Sequence, residues 1–106
     1  MKGTIKSRGD FERVFSRGRR AGDKLVRVRA LVTEGEPGRV AFVAAKRLGN
    51  AVYRNRCKRV LREAARIEGL PKPGRDVILF STNETHDSTP QEVASSLRRL
   101  LKRVDA

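Results

Sequence analysis

Residues 51–66, AVYRNRCKRVLREAAR, limit what this chain can fold into more than any other segment, because they ask for two different surroundings on one helix. At about 100° per residue, Cys57, Val60, Leu61 and Ala64 cluster on one side as a narrow apolar stripe. Arg54, Asn55, Lys58, Arg59, Arg62 and Arg66 spread over the opposite side, and the segment holds six basic residues against the single carboxylate of Glu63. Such a helix packs one face on a sheet and presents charge on the other.

The rest of the chain supplies a sheet. LVRVRALV, residues 25–32, alternates, with Val26, Val28, Ala30 and Val32 on one face and Leu25, Arg27, Arg29 and Leu31 on the other. RVAFVAA, residues 39–45, is a second β-like run, and GEPG at 35–38 is turn chemistry, so the two runs are expected to pair as a hairpin. Upstream, Phe11, Val14 and Phe15 have the spacing of one helical face and predict a helix over 8–17, closed by Gly18. Asn50 is placed to cap the basic helix, which should run to about Ile67. PKPG at 71–74 then leads into a short buried strand, DVILF. In STPQE, Thr89 can cap, Pro90 takes the first helical position and Glu92 completes a capping box. Val93, Leu97, Leu100, Leu101 and Val104 continue as an apolar stripe. The expected order is helix, strand, strand, helix, strand, helix. With no repeat in it, this is an α/β (α+β) two-layer sandwich over residues 1–106, helices on one face of a small sheet.

The 106 residues carry a formal charge of +13, distributed unevenly. Residues 1–30, 31–45, 46–66 and 67–106 sum to +7, −1, +7 and 0. Charge polarised in two blocks is expected of a protein whose partner is a polyanion. An acidic membrane surface is the weaker candidate, because neither block pairs its charge with an exposed aromatic or leucine face. No apolar run approaches a membrane span, no signal-type apolar region follows the N-terminus, and the single cysteine, Cys57, cannot form an internal disulfide. A soluble, cytoplasmic protein is the expectation.

Catalytic chemistry is thinly represented. The only histidine, His86, sits in the polar run STNETHDST and is expected to be solvated; it cannot build a two-histidine acid/base pair. Cys57 is in register with the apolar stripe and is expected to be buried and inert. The twelve acidic residues are scattered rather than gathered around a metal, and no phosphate-loop or dinucleotide fingerprint occurs. An autonomous nuclease is disfavoured on these grounds.

The charge on the helix therefore points to binding. Solvated helix faces mix signs, because opposite charges four residues apart help and like charges cost roughly 0.2–0.5 kcal/mol per pair. Arg54 with Lys58, Lys58 with Arg62 and Arg62 with Arg66 are three like-charged pairs that a bound phosphate backbone would relieve. Arginine outnumbers lysine, and its planar fork binds phosphate bidentately. RNA or DNA binding follows.

The run AAKRLGNAVYRNRCKRVLRE strongly resembles the signature of the bacterial ribonuclease P protein subunit. Lys46, Arg47, Gly49, Asn50, Ala51, Val52, Arg54, Asn55, Arg56, Lys58, Arg59, Arg62 and Glu63 all match its pattern. DFERVFSRG resembles the family's first helix, and DVILF with the capped helix its C-terminal third, so the resemblance spans nearly the whole chain. It implies a left-handed βαβ crossover, a partner RNA that performs catalysis with Mg2+ held mainly by that RNA, and removal of the 5′ leader from precursor tRNA.

By that resemblance Lys46, Arg47, Asn50, Arg54, Asn55 and Arg56 contact the catalytic RNA, together with Lys58, Arg59, Arg62 and Arg66. Phe11, Phe15, Arg27, Arg29 and Lys46 line a cleft for the single-stranded leader. Aromatic faces suit single-stranded bases, at roughly 1–3 kcal/mol per base, although two phenylalanines four residues apart also suit a core. Phosphate or sulfate ions are expected on the basic face. Three positions depart from the pattern: Ala45 stands where serine is common, Arg29 where an aromatic is common, and Thr82 where an arginine is common. A ribosomal or general RNA-binding protein shares the charge without a reason to carry the full Lys46-to-Glu63 pattern, and a DNA-binding helix is separable from it by RNA preference at matched salt.

Overall fold

β-Branched and apolar residues at every second position make Val26–Val32 a strand with Val26, Val28 and Ala30 buried on one face and Arg27 exposed on the other. The computed structural model describes residues 4–33 and 37–105. Its elements are α1 (Arg8–Arg17), β1 (Arg19–Gly22), β2 (Val26–Val32), β3 (Arg39–Val43), a 3₁₀ turn (Lys46–Leu48), α2 (Ala51–Ile67), β4 (Arg75–Ser81) and α3 (Pro90–Arg103). Both long helices start where their caps predict. The Asn50 side chain accepts from the Tyr53 amide at 2.9 Å, and Thr89 and Glu92 form the reciprocal capping box at 3.1 and 3.0 Å.

The four strands lie in the order β1-β2-β4-β3. β4 runs antiparallel to β2, from Val26 opposite Ser81 to Val32 opposite Arg75, and parallel to β3, from Arg39 opposite Asp76 to Val43 opposite Phe80. The expected hairpin between residues 25–32 and 39–45 is therefore corrected: β4 inserts between its two arms. The cause lies in β4 itself. Val77 and Leu79 point into one core and Ile78 into another, and a strand apolar on both faces is most stable in the centre of a sheet. Parallel pairing of β3 and β4 needs a crossover, and α2 is that crossover. Of the expected turn at 35–38, Gly35 and Glu36 lie outside the described residues. Gly38 is buried where a Cβ would lie 1.6 Å from the Lys72 carbonyl oxygen, so only glycine lets that segment pass the β4 approach.

α2 and α3 cover one face, closing a core of Val28, Val77, Leu79, Leu61, Leu97 and Leu100 among others. The sheet packed by these two helices is the expected α+β body. α1, however, packs on the opposite face, where Val14 meets Ile5, Ala41 and Ile78 with Phe11, Leu31, Val43 and Phe80 alongside. Helices thus lie on both faces rather than one. The edge strand β1, RRAG, went unseen in the sequence because three of its four residues face solvent and leave no apolar alternation.

One polar connection passes through this second core. Asp76 on β4 is fully buried and accepts from Arg39 on β3 through Nη2 (2.7 Å), Nε (3.3 Å) and the backbone amide (3.2 Å). The same guanidinium reaches Asp10 on α1 at 2.8 Å. The Asp76 hydrogen bond, then that of Asp10, drives the Arg39 pKa still further above its ordinary value, and the Arg39 hydrogen bond holds the Asp10 carboxyl below its own. Asp76→Ala leaves the guanidinium with Asp10 alone and removes its buried partner, so it should destabilise the fold, read from the urea unfolding midpoint, by less than the roughly 3–5 kcal/mol of a fully uncompensated buried charge.

Asp10, Glu63 and Glu92 are all depressed, chiefly by Arg39, Arg66 and the Thr89 amide respectively. A depressed carboxylate stabilises the fold above its unfolded pKa, and that contribution is lost as the pH falls through its folded pKa. The thermal midpoint should therefore fall as the pH is lowered from about 5 to about 2.

Candidate nucleic-acid interface

Burial of Cys57, Val60, Leu61, Ala64 and Ala65 turns the remainder of α2 outward. Asn55, Arg56, Arg59, Arg62 and Arg66 are exposed, while Arg54 and Lys58 flank them half-buried. Val52, in the first turn of the same face, is 79% exposed. Among the described residues none of Lys46, Arg47, Arg54, Arg56, Lys58, Arg59 and Arg62 makes an ion pair. Arg66 does, with Glu63 one turn back, at 3.0 and 3.1 Å from Nε. Of the three like-charged pairs seen in the sequence, the one between Arg62 and Arg66 is thus relieved internally, and those made by Lys58 with Arg54 and Arg62 are not. Among the described residues the buried Arg54 Nε finds no hydrogen-bond partner, and the Arg62 guanidinium carbon lies 5.6 Å from the Phe42 ring centroid.

The start of α2 is held from the side. Lys46 and Arg47 occupy the exposed 3₁₀ turn, which ends at Gly49 with φ +155°, where a Cβ would fall 2.9 Å from the Tyr53 ring. His86 is not the freely solvated residue expected: its ring stacks on Tyr53 with centroids 4.1 Å apart, and Nδ1 sits 2.8 Å from Asp87 Oδ1. Arg56 Nε donates to the His86 carbonyl at 3.0 Å. The loop carrying His86 is anchored by the fully buried Thr85, whose hydroxyl donates to the Leu25 carbonyl at 2.7 Å. A threonine in a polar run gave no sign of that burial. Cys57 is buried as expected, and burial pushes its thiol pKa up.

A second surface opens between α1 and the sheet, a cleft of about 1130 Å³ lined by Phe15, Arg20, Arg27, Arg29, Arg47 and Phe80 together with smaller residues. Phe15 is 43% exposed. Phe80 meets it edge-on with centroids 6.0 Å apart, and the Arg29 guanidinium carbon lies 4.2 Å above its ring while Nη1 donates to its carbonyl. Phe15, Arg27 and Arg29, grouped in the sequence reading, are brought together in the lining of this cleft. Phe11 does not: it stacks on Phe15 at 6.3 Å but packs half-buried against the α1 core. Nor does Lys46, whose place in the lining is taken by its neighbour Arg47. Arg20 and Phe80 are additions. Phe80 was legible, since it alternates with the buried Leu79 along β4, whereas Arg20 depends on the unforeseen β1. Ala45 and Thr82, two of the departures from the family pattern, line this cleft too.

Fold and surfaces together define a class: a small basic α+β protein that sets an arginine-bearing crossover helix beside an aromatic cleft. The family model described as Ribonuclease P matches residues 2–105. The ribonuclease P protein component of Clostridioides difficile is 30% identical over 103 residues, covering 95% of this chain and 90% of the relative. That of Ruegeria pomeroyi is 39% identical over 108 residues, covering 96% and 86%. The structure of the Staphylococcus aureus RNase P protein superposes with a TM-score of 0.80 at 27% identity, covering 97% of this chain and 95% of that one. The chain belongs to the ribonuclease P protein family, the protein components of a ribonucleoprotein of tRNA processing.

If the unrelieved Arg54, Lys58 and Arg62 repel one another in the free protein, a bound anion stabilises the helix. Sulfate should raise the thermal midpoint above that in chloride at equal ionic strength; coincident midpoints would show that these charges are already accommodated.

Proposed function

We propose that this chain is the accessory subunit of a ribonuclease P in which the RNA performs catalysis, and that it acts by binding two stretches of RNA at once. The outer face of α2, continued by Lys46, Arg47 and Asn50, takes the backbone of the catalytic RNA. The cleft under α1 takes the single-stranded 5′ leader of precursor tRNA, whose removal leaves the mature 5′ end. The observation that carries this reading is that Arg54, Arg56, Lys58, Arg59 and Arg62 of α2 make no ion pair among the described residues, within a run from Lys46 to Glu63 that resembles the family's signature. Such a face gains most from an anionic partner, and it supplies forked donors at the spacing of successive helical turns.

The cleft suits a different ligand. Phe15 and Phe80 offer apolar ring surface, and Arg20, Arg27 and Arg47 surround it with positive charge. Rings within a cationic groove hold single strands, because bases stack while the backbone follows the charge. Arg47 lines the cleft from the 3₁₀ turn that leads into α2, so the two surfaces meet at that turn. In this reading magnesium is held mainly by the RNA, and no step is assigned to a protein-bound ion.

The test is cleavage of a precursor tRNA at low salt by a bacterial ribonuclease P RNA alone, by this protein alone and by both. Release of the leader by the mixture far better than by the RNA supports the reading; a protein that adds nothing to a competent RNA moves the general RNA-binding alternative to the front. Arg59→Ala should weaken the protein–RNA complex and lower the slope of log affinity against log salt by about one unit, checked by a salt titration of binding.

A further inference from the structure

We propose that Arg29 selects a guanine at one position of the RNA strand held in the cleft, through the free Nε and Nη2 edge of its guanidinium. The inference rests on the assignment of the cleft to the leader and adds to it the base that one subsite reads. Arg29 projects from β2 on the α1 side of the sheet, between Arg20 of β1 and Ile78 of β4. Two contacts fix its plane, both from Phe15: the ring beneath the guanidinium carbon at 4.2 Å, and the carbonyl that accepts from Nη1. No hydrogen bond from Nε or Nη2 occurs among the described residues, so the side-on pair of donors is left free.

A guanidinium held in this way has already given up much of its side-chain freedom, which lowers the cost of an oriented contact. Its two parallel N–H groups match the O6 and N7 acceptors that guanine presents side by side. Adenine offers N7 beside an amino donor, which opposes the second N–H, and uracil presents no adjacent acceptor pair; cytosine's O2 and N3 are such a pair in a single strand, but they do not depend on the N7 that 7-deazaguanine removes. In a single strand that edge of guanine is open to a side chain.

A phosphate also accepts two bonds from an arginine, so the surroundings decide between them. Arg29 lies over the Phe15 ring, and Phe80 meets that ring edge-on to extend the apolar wall. Such a wall suits the flat face of a base and offers nothing to a phosphate, for which Arg20, Arg27 and Arg47 stand in the same cleft. Two acids lie at the cleft margin: Asp23, whose Oδ1 accepts from the Leu25 and Val26 amides at 2.8 and 3.2 Å, and the exposed Glu84.

The experiment uses the protein assembled with a bacterial ribonuclease P RNA and a set of precursor tRNAs that differ at one leader position at a time. The expected result is one position at which guanine binds about tenfold tighter than the other three bases, as one bidentate base contact allows. At that position 7-deazaguanine, which lacks the N7 acceptor, should lose most of the gain with the unaltered protein. Arg29→Lys, which keeps the charge and loses the fork, should bring the guanine leader down to the affinity of the other three. A leader that adds affinity over mature tRNA with no guanine preference at any position overturns this proposal alone. So does an Arg29→Lys protein that weakens all four bases alike, the signature of a phosphate contact. A leader that adds no affinity overturns the assignment of the cleft and this inference with it.

Discussion

Arg39 is the residue on which the arrangement of this protein turns. Its guanidinium is shared by a fully buried carboxylate on the central strand and a second on α1, so one side chain fastens three elements at a single point. Ionic groups in so small a core bring a desolvation penalty, and replacing them with apolar residues often costs nothing in stability. What such a pair does supply is register. Arg39 opposite Asp76 aligns the parallel strands, and Arg39 with Asp10 sets the near end of α1 against the sheet. The other end of α1 then stands where Phe15 can overhang the cleft.

The sheet separates two tasks by its faces. The side toward α2 and α3 holds most of the aliphatic core and supports the charged helix as a platform. The other side is only partly covered, by a helix whose single fully buried residue is Val14. The row of Gly22, Arg27, Phe80 and Val43 across the four strands is left at the margin of that cover, and this is where the cleft forms. The loop after β4 joins the two faces, because Thr85 ties it to the start of β2 while His86 stacks against the start of α2.

Much of this was legible in the residues. Alternation in residues 26–32, the caps at Asn50 and Thr89, and the stripe of α2 are local signals, and local signals set element type and ends. Pairing is not local. The runs at 25–32 and 39–45 have the look of a hairpin, and only the two-sided apolar character of Val77, Ile78 and Leu79 hints that a later strand takes the place between them. In the cleft, Arg27, Arg29 and Phe15 could be named in advance through a family resemblance, yet Phe11 could not be told from a core residue by spacing, since the same four-residue interval serves both. The stack of Tyr53 on His86 joins residues far apart in sequence, and no periodicity reports such a contact.

The central position of β4 also determines the order in which this chain can become a folded object during synthesis. β2 and β3 have no ladder partner between them until β4 has been made, and α2 is complete before β4 begins. At translation rates of about 5–20 residues per second, the basic helix waits on the order of a second with its apolar stripe uncovered. Copies of a chain carrying +13 repel one another through that interval, which protects strands without partners from joining those of a neighbour. The charge on this protein thus acts between its own copies as well as toward a partner.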